Sequence, residues 1–509
     1  MTDSSPRDRA VRAVSGGMLA GWALTLAVYR PGFAMYDTLV QYRQIWSGRY
    51  DDWHPPAMAR LWAALAWIAP GQAPLFVVQM TLYWLGFALL ALALARNGRV
   101  RAAALLGGIA VLPSFLGWQT VVLKDAQMTG ALLAATGVIG AGWLGLAAHS
   151  STVRPEPVEG RPAVRELGPP FDRLRANGEE GAGDIVGHPG VLAWAAAGVL
   201  TLYAVLVRAN AVFAVAPLVA MLVPLGWRAR VAVAAGGVAM VLALSPVINH
   251  QLLGARDSGV TRTQPLYDLA GIAVRAPGAD VGLPATSVAR IVALNCAKSY
   301  FWDPLSDGGP CGADVAPLAR MPVAQLYRLW VGAMLSHPLA YAAHRLAHLN
   351  STMRWLVPYR WPGAPPTLHS ERNDLGLGSP GAVARGWQRV GGYVVETPLG
   401  WPFMWFGLAL AGLVALRRNR SAEAVLARAL FVSAIAGEAS FAAVSIASDL
   451  RYHLWAMIAA AIGLVIGWPA FDRRRFRLGA ALVAVVCLPA IVTRIALPLP
   501  PQSYLGMLG

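Results

Sequence analysis

Cysteine is scarce in this chain, with only three in 509 residues. So few thiols exclude a disulfide scaffold and any four-cysteine zinc site, and leave room for a single bridge. Charge is scarce too: Asp, Glu, Lys and Arg make up 13% of the residues and hydrophobic side chains 56%, against roughly 25% charged and 45–50% apolar in soluble domains. A chain this poor in charge cannot cover a water-facing surface, and an all-α polytopic membrane protein is expected. Several motifs are missing as well. No G-x-S-x-G, H-E-x-x-H, P-loop or dinucleotide fingerprint is present, so ordinary hydrolases and nucleotide-dependent enzymes have no support. Acid is the scarcer sign, and the net charge is +16. Most of the arginines lie in short clusters between apolar runs, where membrane topology explains them better than a nucleic-acid partner, which is not expected.

The apolar runs fall near 14–29, 74–95, 102–116, 126–147, 191–207, 211–225, 231–248, 398–416, 424–447, 452–468 and 478–496. At about 20 residues each they predict about eleven transmembrane helices, the shorter ones by the weakest margin. The first, after a polar and basic start, reads as an uncleaved signal anchor. With a cytoplasmic N-terminus, the clusters around Arg7, Arg96, Arg228, Arg417 and Arg473 all fall on the inner side, as the positive-inside rule requires. The expected location is a bacterial cytoplasmic membrane, with the long polar segments on the outer, periplasmic face. Three regions follow: an N-terminal transmembrane module over 1–249 with a first outer loop at 31–73, a mostly helical exoplasmic domain over 250–396, and a C-terminal transmembrane module over 397–509.

Two segments interrupt the pattern. Residues 150–187 are rich in Pro, Gly, Arg and Glu without apolar periodicity, and read as a disordered cytoplasmic insertion. The pieces VRPEPVEG and FDRLRANG resemble the translation of a repeat scattered between bacterial genes; an ordinary regulatory linker is the alternative. Residues 250–396 are long enough for a folded unit. There Cys296 and Cys311 flank a compact run, Ser299 to Gly309, and a disulfide between them is expected in an oxidising compartment. His344 and His348 stand one helical turn apart, but no acid lies between them and no third ligand is near in sequence, so a surface or interfacial helix is the better reading than a metal site.

The polar stretch PGFAMYDTLVQYRQIWSGRYDDWHPP, residues 31–56, carries the densest chemistry. Asp37 opens a short helical pattern in which Leu39, Tyr42 and Trp46 share one face while Gln41 and Gln44 leave it, and Gly48 ends the turn. Pro55 and Pro56 hold His54 extended at the mouth of the next helix. Asp37 has two readings at this point, a helix N-cap or a chemical group. Two further polar points lie on the same predicted outer face: Lys124 with Asp125, and the run Asp449, Leu450, Arg451, Tyr452, His453. Ionisable groups at membrane depth are costly and usually face a cavity, although Lys124 and Arg451 could also snorkel from a helix end.

A first outer loop with an early acid and an Asp-x-His-Pro-Pro turn resembles the membrane glycosyltransferases of the GT-C superfamily, the branch of protein O-mannosyltransferases and aminoarabinose transferases. The resemblance implies transfer of a sugar from a polyprenyl-phosphate donor to an outer acceptor that is a lipid, glycan or protein. It also implies Asp37 and Asp125 as the catalytic acids, with Arg451 and Tyr452 resembling an Arg-Tyr pair at a late span. Gln41, His54 and Lys124 join them as substrate-binding candidates. The chain lacks the family's Asp-Glu pair after the first span, which leaves any divalent metal and its ligands unassigned. Membrane lipids are the other expected partner. A transporter or flippase remains an alternative, to be recognised by two similar halves or broken helices at matching positions, as does a surface-polysaccharide polymerase or ligase.

Overall fold

The computed structural model describes residues 5–150, 190–223 and 225–508, with side chains placed except at 146–150. The expected insertion at 150–187 therefore lies, apart from its first residue, outside the described residues. Helices dominate. The first half runs α1 Pro6–Tyr29, α2 Tyr36–Ser47, α3 Pro56–Ala66, α4 Ala73–Arg96, α5 Val100–Ala110, α6 Pro113–Gln119 and α7 Lys124–Ser150. After the gap come α8 Val191–Val207, α9 Val212–Leu222 and α10 Trp227–Val247. The middle region folds as α11 Thr263–Arg275, α12 Ala285–Ala293, α13 Gly312–Ala319, α14 Val323–Ser336, α15 Pro338–Met353 and α16 Ala382–Val394. The chain then continues through α17 Pro402–Ala415, α18 Ala422–Ser440, α19 Leu454–Gly467, α20 Arg473–Ala496 and α21 Tyr504–Leu508. The two-residue strands Tyr50–Asp51 and Ala255–Arg256 pair in parallel.

Among the described residues, six helical stretches are long and apolar enough to cross a membrane, or seven if the bent pair α5 and α6 makes one span. Trp227–Leu252 buries none of its apolar window inside the protein, and such a surface is stable only in lipid. The protein is an all-α, membrane-embedded chain.

The central pair is α4 and α7, whose backbones meet at Gly86 and Gly137: a Cβ on Gly137 would lie 2.8 Å from the Gly86 backbone. Small residues substitute for hydrophobic drive where lipid is as apolar as the helix face. The large core built on this pair also takes in Met353, Ala364, Leu377, Ala384 and Val395. A second, smaller core gathers Tyr267, Leu269, Ile272, Ile291, Cys296, Cys311, Val315 and Leu326. The region expected to form one domain over 250–396 is thus divided. Its first part has its own core, whereas its last part, led by α16, packs on α6 through Gln388 and Gly391.

Cys296 and Cys311 are joined by a disulfide, with their Cα atoms 6.3 Å apart, while Cys487 is free and buried. Thiol counting of the unreduced, denatured protein should find one reactive cysteine, rising to three after reduction. Replacing both bridge residues by Ser should cost this unit about 3 kcal/mol in the chain-entropy account, read as a lower unfolding midpoint. Three reactive thiols without reductant would contradict the pairing.

Candidate functional site

The first loop is laced to the chain ahead of α7 by backbone bonds. The Phe33 amide donates to Thr120 O at 3.1 Å, the Val122 amide to Phe33 O at 2.9 Å, and the Thr38 hydroxyl to Val122 O at 2.8 Å. From beneath, Gln79 donates to Gln119 O and Val121 O. These contacts set Asp37, in the first turn of α2, beside Lys124 and Asp125 at the start of α7.

Arg451 arrives from the other end of the chain. It sits on a one-turn 3₁₀ segment, Leu450–His453. That turn is held by the Leu450 amide on Gly363 O (2.8 Å), by His453 Nδ1 on Glu438 Oε2 (2.6 Å) and by His453 Nε2 against the Thr352 hydroxyl (2.9 Å). Gly363 has φ +74°, and a Cβ there would collide with the Asp449 carboxylate, so glycine lets this loop approach.

The result is one charged cluster. Arg451 contacts three carboxylates: Asp37 Oδ2 at 3.1 Å, Asp449 Oδ2 at 3.0 Å and Asp125 Oδ2 at 3.7 Å. Arg208, at the end of α8, pairs with the other oxygen of Asp125. The Tyr452 ring lies under both guanidiniums, 4.2 Å from Arg208 and 5.3 Å from Arg451. Lys124 Nζ has no carboxylate within ion-pair distance among the described residues; it stands 3.0 Å from His54 Nδ1 and 3.4 Å from Trp53 O. Since Nδ1 accepts from the ammonium, the His54 proton belongs on Nε2, which is buried without a hydrogen-bond partner.

Two titrations follow from this setting. Burial alone would raise the Asp37 carboxyl, but the positive charges around it, Arg451 foremost, hold it well below the usual carboxylate range. Burial, reinforced by Lys124, pushes His54 down to about 3, so the ring is neutral. A cavity of about 320 Å³ opens beside the cluster, lined by Arg208 and Tyr452 on one side and by Phe441, Val444 and Ile446 on another.

Of the residues singled out from sequence, Asp37, Asp125, Lys124, His54, Arg451 and Tyr452 all meet here. The N-cap reading of Asp37 does not hold: α2 starts one residue earlier, its N-cap is Met35, and the Met35 amide donates to the Thr38 hydroxyl. The expected face of α2 also changes. Gln41 and Gln44 are buried and Trp46 is two-thirds exposed, because Asp51 accepts from Gln44 while Tyr42 packs on Trp62 and accepts from the Gly71 amide. Gln41 is buried nearby without a place among the charges, and its Oε1 has no hydrogen-bond partner among the described residues. Gly48 ends the helix at φ +64°, as its position suggested. Arg451 does not snorkel; it is 8% exposed, and its two terminal nitrogens pair with Asp37 and Asp449.

His344 and His348 are likewise not on a surface helix face. Both are buried, His344 Nε2 lying 3.3 Å from Asp268 and His348 Nδ1 donating to Ser299 O at 2.8 Å. Asp268, invisible as a partner in sequence, draws His344 inward, and Ser299 with Tyr267 holds His348. Arg208 was not among the sequence-derived site residues, and Asp449 was named only within the run 449–453, without a role of its own. The signal for Arg208 was there: it is an isolated ionisable residue between two apolar runs, the same sign that marked Lys124. Among the described residues no group of three or more His, Cys, Asp and Glu side chains stands where it could hold a metal ion; Arg451 bridges Asp37 and Asp125 instead.

No protein-family model, curated protein or solved structure matches this chain.

Two measurements probe the cluster. Removing Arg451 leaves buried carboxylates uncompensated, so Arg451→Gln should lower unfolding stability by about 3–5 kcal/mol; adding Asp125→Asn should recover part of that loss. Recovery would be absent if the groups were uncoupled. His54 is neutral when folded, so the stability it contributes is full above its unfolded value of 6.5 and is lost progressively as pH falls toward about 3. The unfolding midpoint should therefore drop more steeply with acid in the native chain than in His54→Gln. Parallel curves would contradict the burial of an uncharged ring.

Proposed function

We propose that this chain is a membrane glycosyltransferase that moves a sugar from a polyprenyl-phosphate donor to an acceptor on the outer face of the membrane. The observation that carries the reading is the meeting of three polar points, far apart in sequence, in one cluster whose Lys124 has no carboxylate within ion-pair distance among the described residues. The three acids and the three cations Arg208, Arg451 and Lys124 balance in number, but Lys124 has no acid within ion-pair distance among the described residues, and a substrate phosphate can take it without displacing an existing pair.

The topology that goes with this reading has about eleven spans of roughly 20 residues. The long apolar helices, the bent pair α5 and α6, the shorter helices α8, α9 and α17, and α18 fall on the runs expected from sequence. The N-terminus is then cytoplasmic, the arginine clusters face inward, and the cluster together with the region over 250–396 lies on the outer side of a bacterial cytoplasmic membrane. An oxidising outer compartment suits the Cys296–Cys311 bridge.

In the transfer, the bond between the anomeric carbon and the phosphate oxygen breaks and a bond from that carbon to the acceptor heteroatom forms. Asp37 takes the acceptor's proton, and Lys124, Arg208 and Arg451 receive the charge that builds on the leaving phosphate. With Arg451 bound to it, Asp37 is a weak base. A donor phosphate that competes for Arg451 frees the carboxylate and raises its basicity as the substrate settles. Asp125 anchors Arg208 and Arg451, and the apolar wall of Phe441, Val444 and Ile446 offers the isoprenoid a path to the phosphate site. No step here is assigned to a metal.

The test is release of polyprenyl phosphate from a polyprenyl-phosphate hexose by the purified protein in lipid nanodiscs supplied with membrane extract as acceptor. Asp37→Asn keeps shape and should cut the rate by about 100-fold to 10,000-fold. Arg451→Lys should restore only part of what Arg451→Gln loses, since the two-pronged contact is gone. Undiminished transfer by Asp37→Asn would move the base elsewhere, and absence of transfer by the native protein from any polyprenyl-phosphate sugar would end the reading.

A further inference from the structure

The disulfide-closed loop brings a feature to the rim of the cluster that its charges do not explain. Trp302 from that loop packs against Trp53 of the first loop, with ring centroids 5.6 Å apart and planes 37° from parallel. Both indoles are half-buried, so each keeps surface free. Trp53 is joined directly to the charged site, its carbonyl accepting from Lys124 and its neighbour His54 carrying the unpartnered, buried Nε2. On the other side of the pair, Asp303 follows Trp302 in a 3₁₀ turn, and its carboxylate accepts from the Tyr504 hydroxyl at 3.0 Å. Burial raises the Asp303 carboxyl, and the negative charges of Asp449 and Asp37 add to the shift, so this acid belongs to the same electrostatic neighbourhood.

Half-exposed indoles beside a carboxylate and an imidazole N–H are what a sugar ring needs. Its C–H face is apolar and lies against an aromatic surface, while its hydroxyls donate to carboxylates and accept from N–H groups. The core of the disulfide unit does not need the pair, since Trp302 lies at the edge of that core and Trp53 outside it. We propose that Trp53, Trp302, Asp303 and His54 form a subsite for a pyranose ring, set at the rim of the anion site. The inference rests on the transferase reading for the ring's role, and its chemistry fits either the donor's sugar or a sugar of the acceptor.

Saturation-transfer NMR on the full chain in nanodiscs, with methyl glucopyranoside, methyl mannopyranoside and methyl galactopyranoside as probes, tests it. At least one probe should receive saturation on its ring C–H protons. Binding should weaken about tenfold in Trp302→Ala and in Trp53→Ala and largely return in Trp302→Phe. Intact Cys296–Cys311 pairing and an unchanged unfolding midpoint identify variants that are folded, with Trp302→Phe as the guard against collapse. No saturation on any probe, or equal saturation in folded Trp→Ala variants, overturns the subsite. In the transfer assay, a KM rise for the polyprenyl-phosphate sugar places the donor ring there, and a rise for the acceptor places the acceptor's; either supports the proposal. Trp-dependent pyranoside binding without any transfer would remove the transferase reading and keep the subsite. Transfer with both KM values unchanged in Trp302→Ala would do the reverse.

Discussion

A single guanidinium shared by three carboxylates is the constraint on which this structure turns. Arg451, Asp37, Asp125 and Asp449 come from three separate parts of the chain, and none of these charges is tolerable in a low-dielectric interior without the others. The fold must therefore fix three loops relative to one another with little slack. It does so with backbone bonds between the 33–38 and 120–122 segments, and with a short turn at 450–453 clamped by Glu438, Thr352 and Gly363.

The second core is tied to the loop that leads into this turn. Arg345 donates to the carbonyls of Phe441, Ala442 and Ser445 while it also meets Asp268, which in turn accepts from Trp330 and Gln264. The loop after α18 is thereby fastened to α15, and the cavity beside Arg208 and Tyr452 is walled from both sides. Local polarity, helix packing and site geometry meet at one place: the ends of apolar helices carry the charges, and the smaller second core reaches the loop after α18 through Ile446. In the proposed chemistry this sharing is also the control, because Asp37 cannot accept a proton well while Arg451 holds it.

Much of this was legible in the sequence for a simple reason: in a chain with so few charges, an ionisable residue next to an apolar run stands out. Lys124, Asp125 and Arg451 stood out that way, Asp37 and Tyr452 were added by the family resemblance, and all five meet in space. The helical segments were legible from apolar runs, although among the described residues length and hydropathy together single out only six candidate spans, or seven with the bent pair. What was hidden depends on distant partners. Burial of Gln44 needs Asp51, burial of His344 needs Asp268, and neither pairing leaves a periodic trace. The start of α2 at Tyr36, with Met35 as its N-cap, follows from the Thr38 hydroxyl, which donates to Val122 O and accepts from the Met35 amide. Arg208 looked like a loop residue until Asp125 was seen opposite it, and the division of 250–396 between two cores turns on how Gln388 and Gly391 fit α6.

The central claim is that the cluster holds a lipid-linked phosphate, and the most direct measurement is an electron cryo-microscopy structure of the chain in nanodiscs with a non-hydrolysable polyprenyl-phosphonate sugar. The account predicts the phosphonate within hydrogen-bond reach of Lys124, with Arg451 turned from Asp37 toward it and the isoprenoid running along Phe441 and Val444. A phosphonate bound away from Lys124, Arg208 and Arg451, with the contact between Arg451 and Asp37 intact, would contradict it.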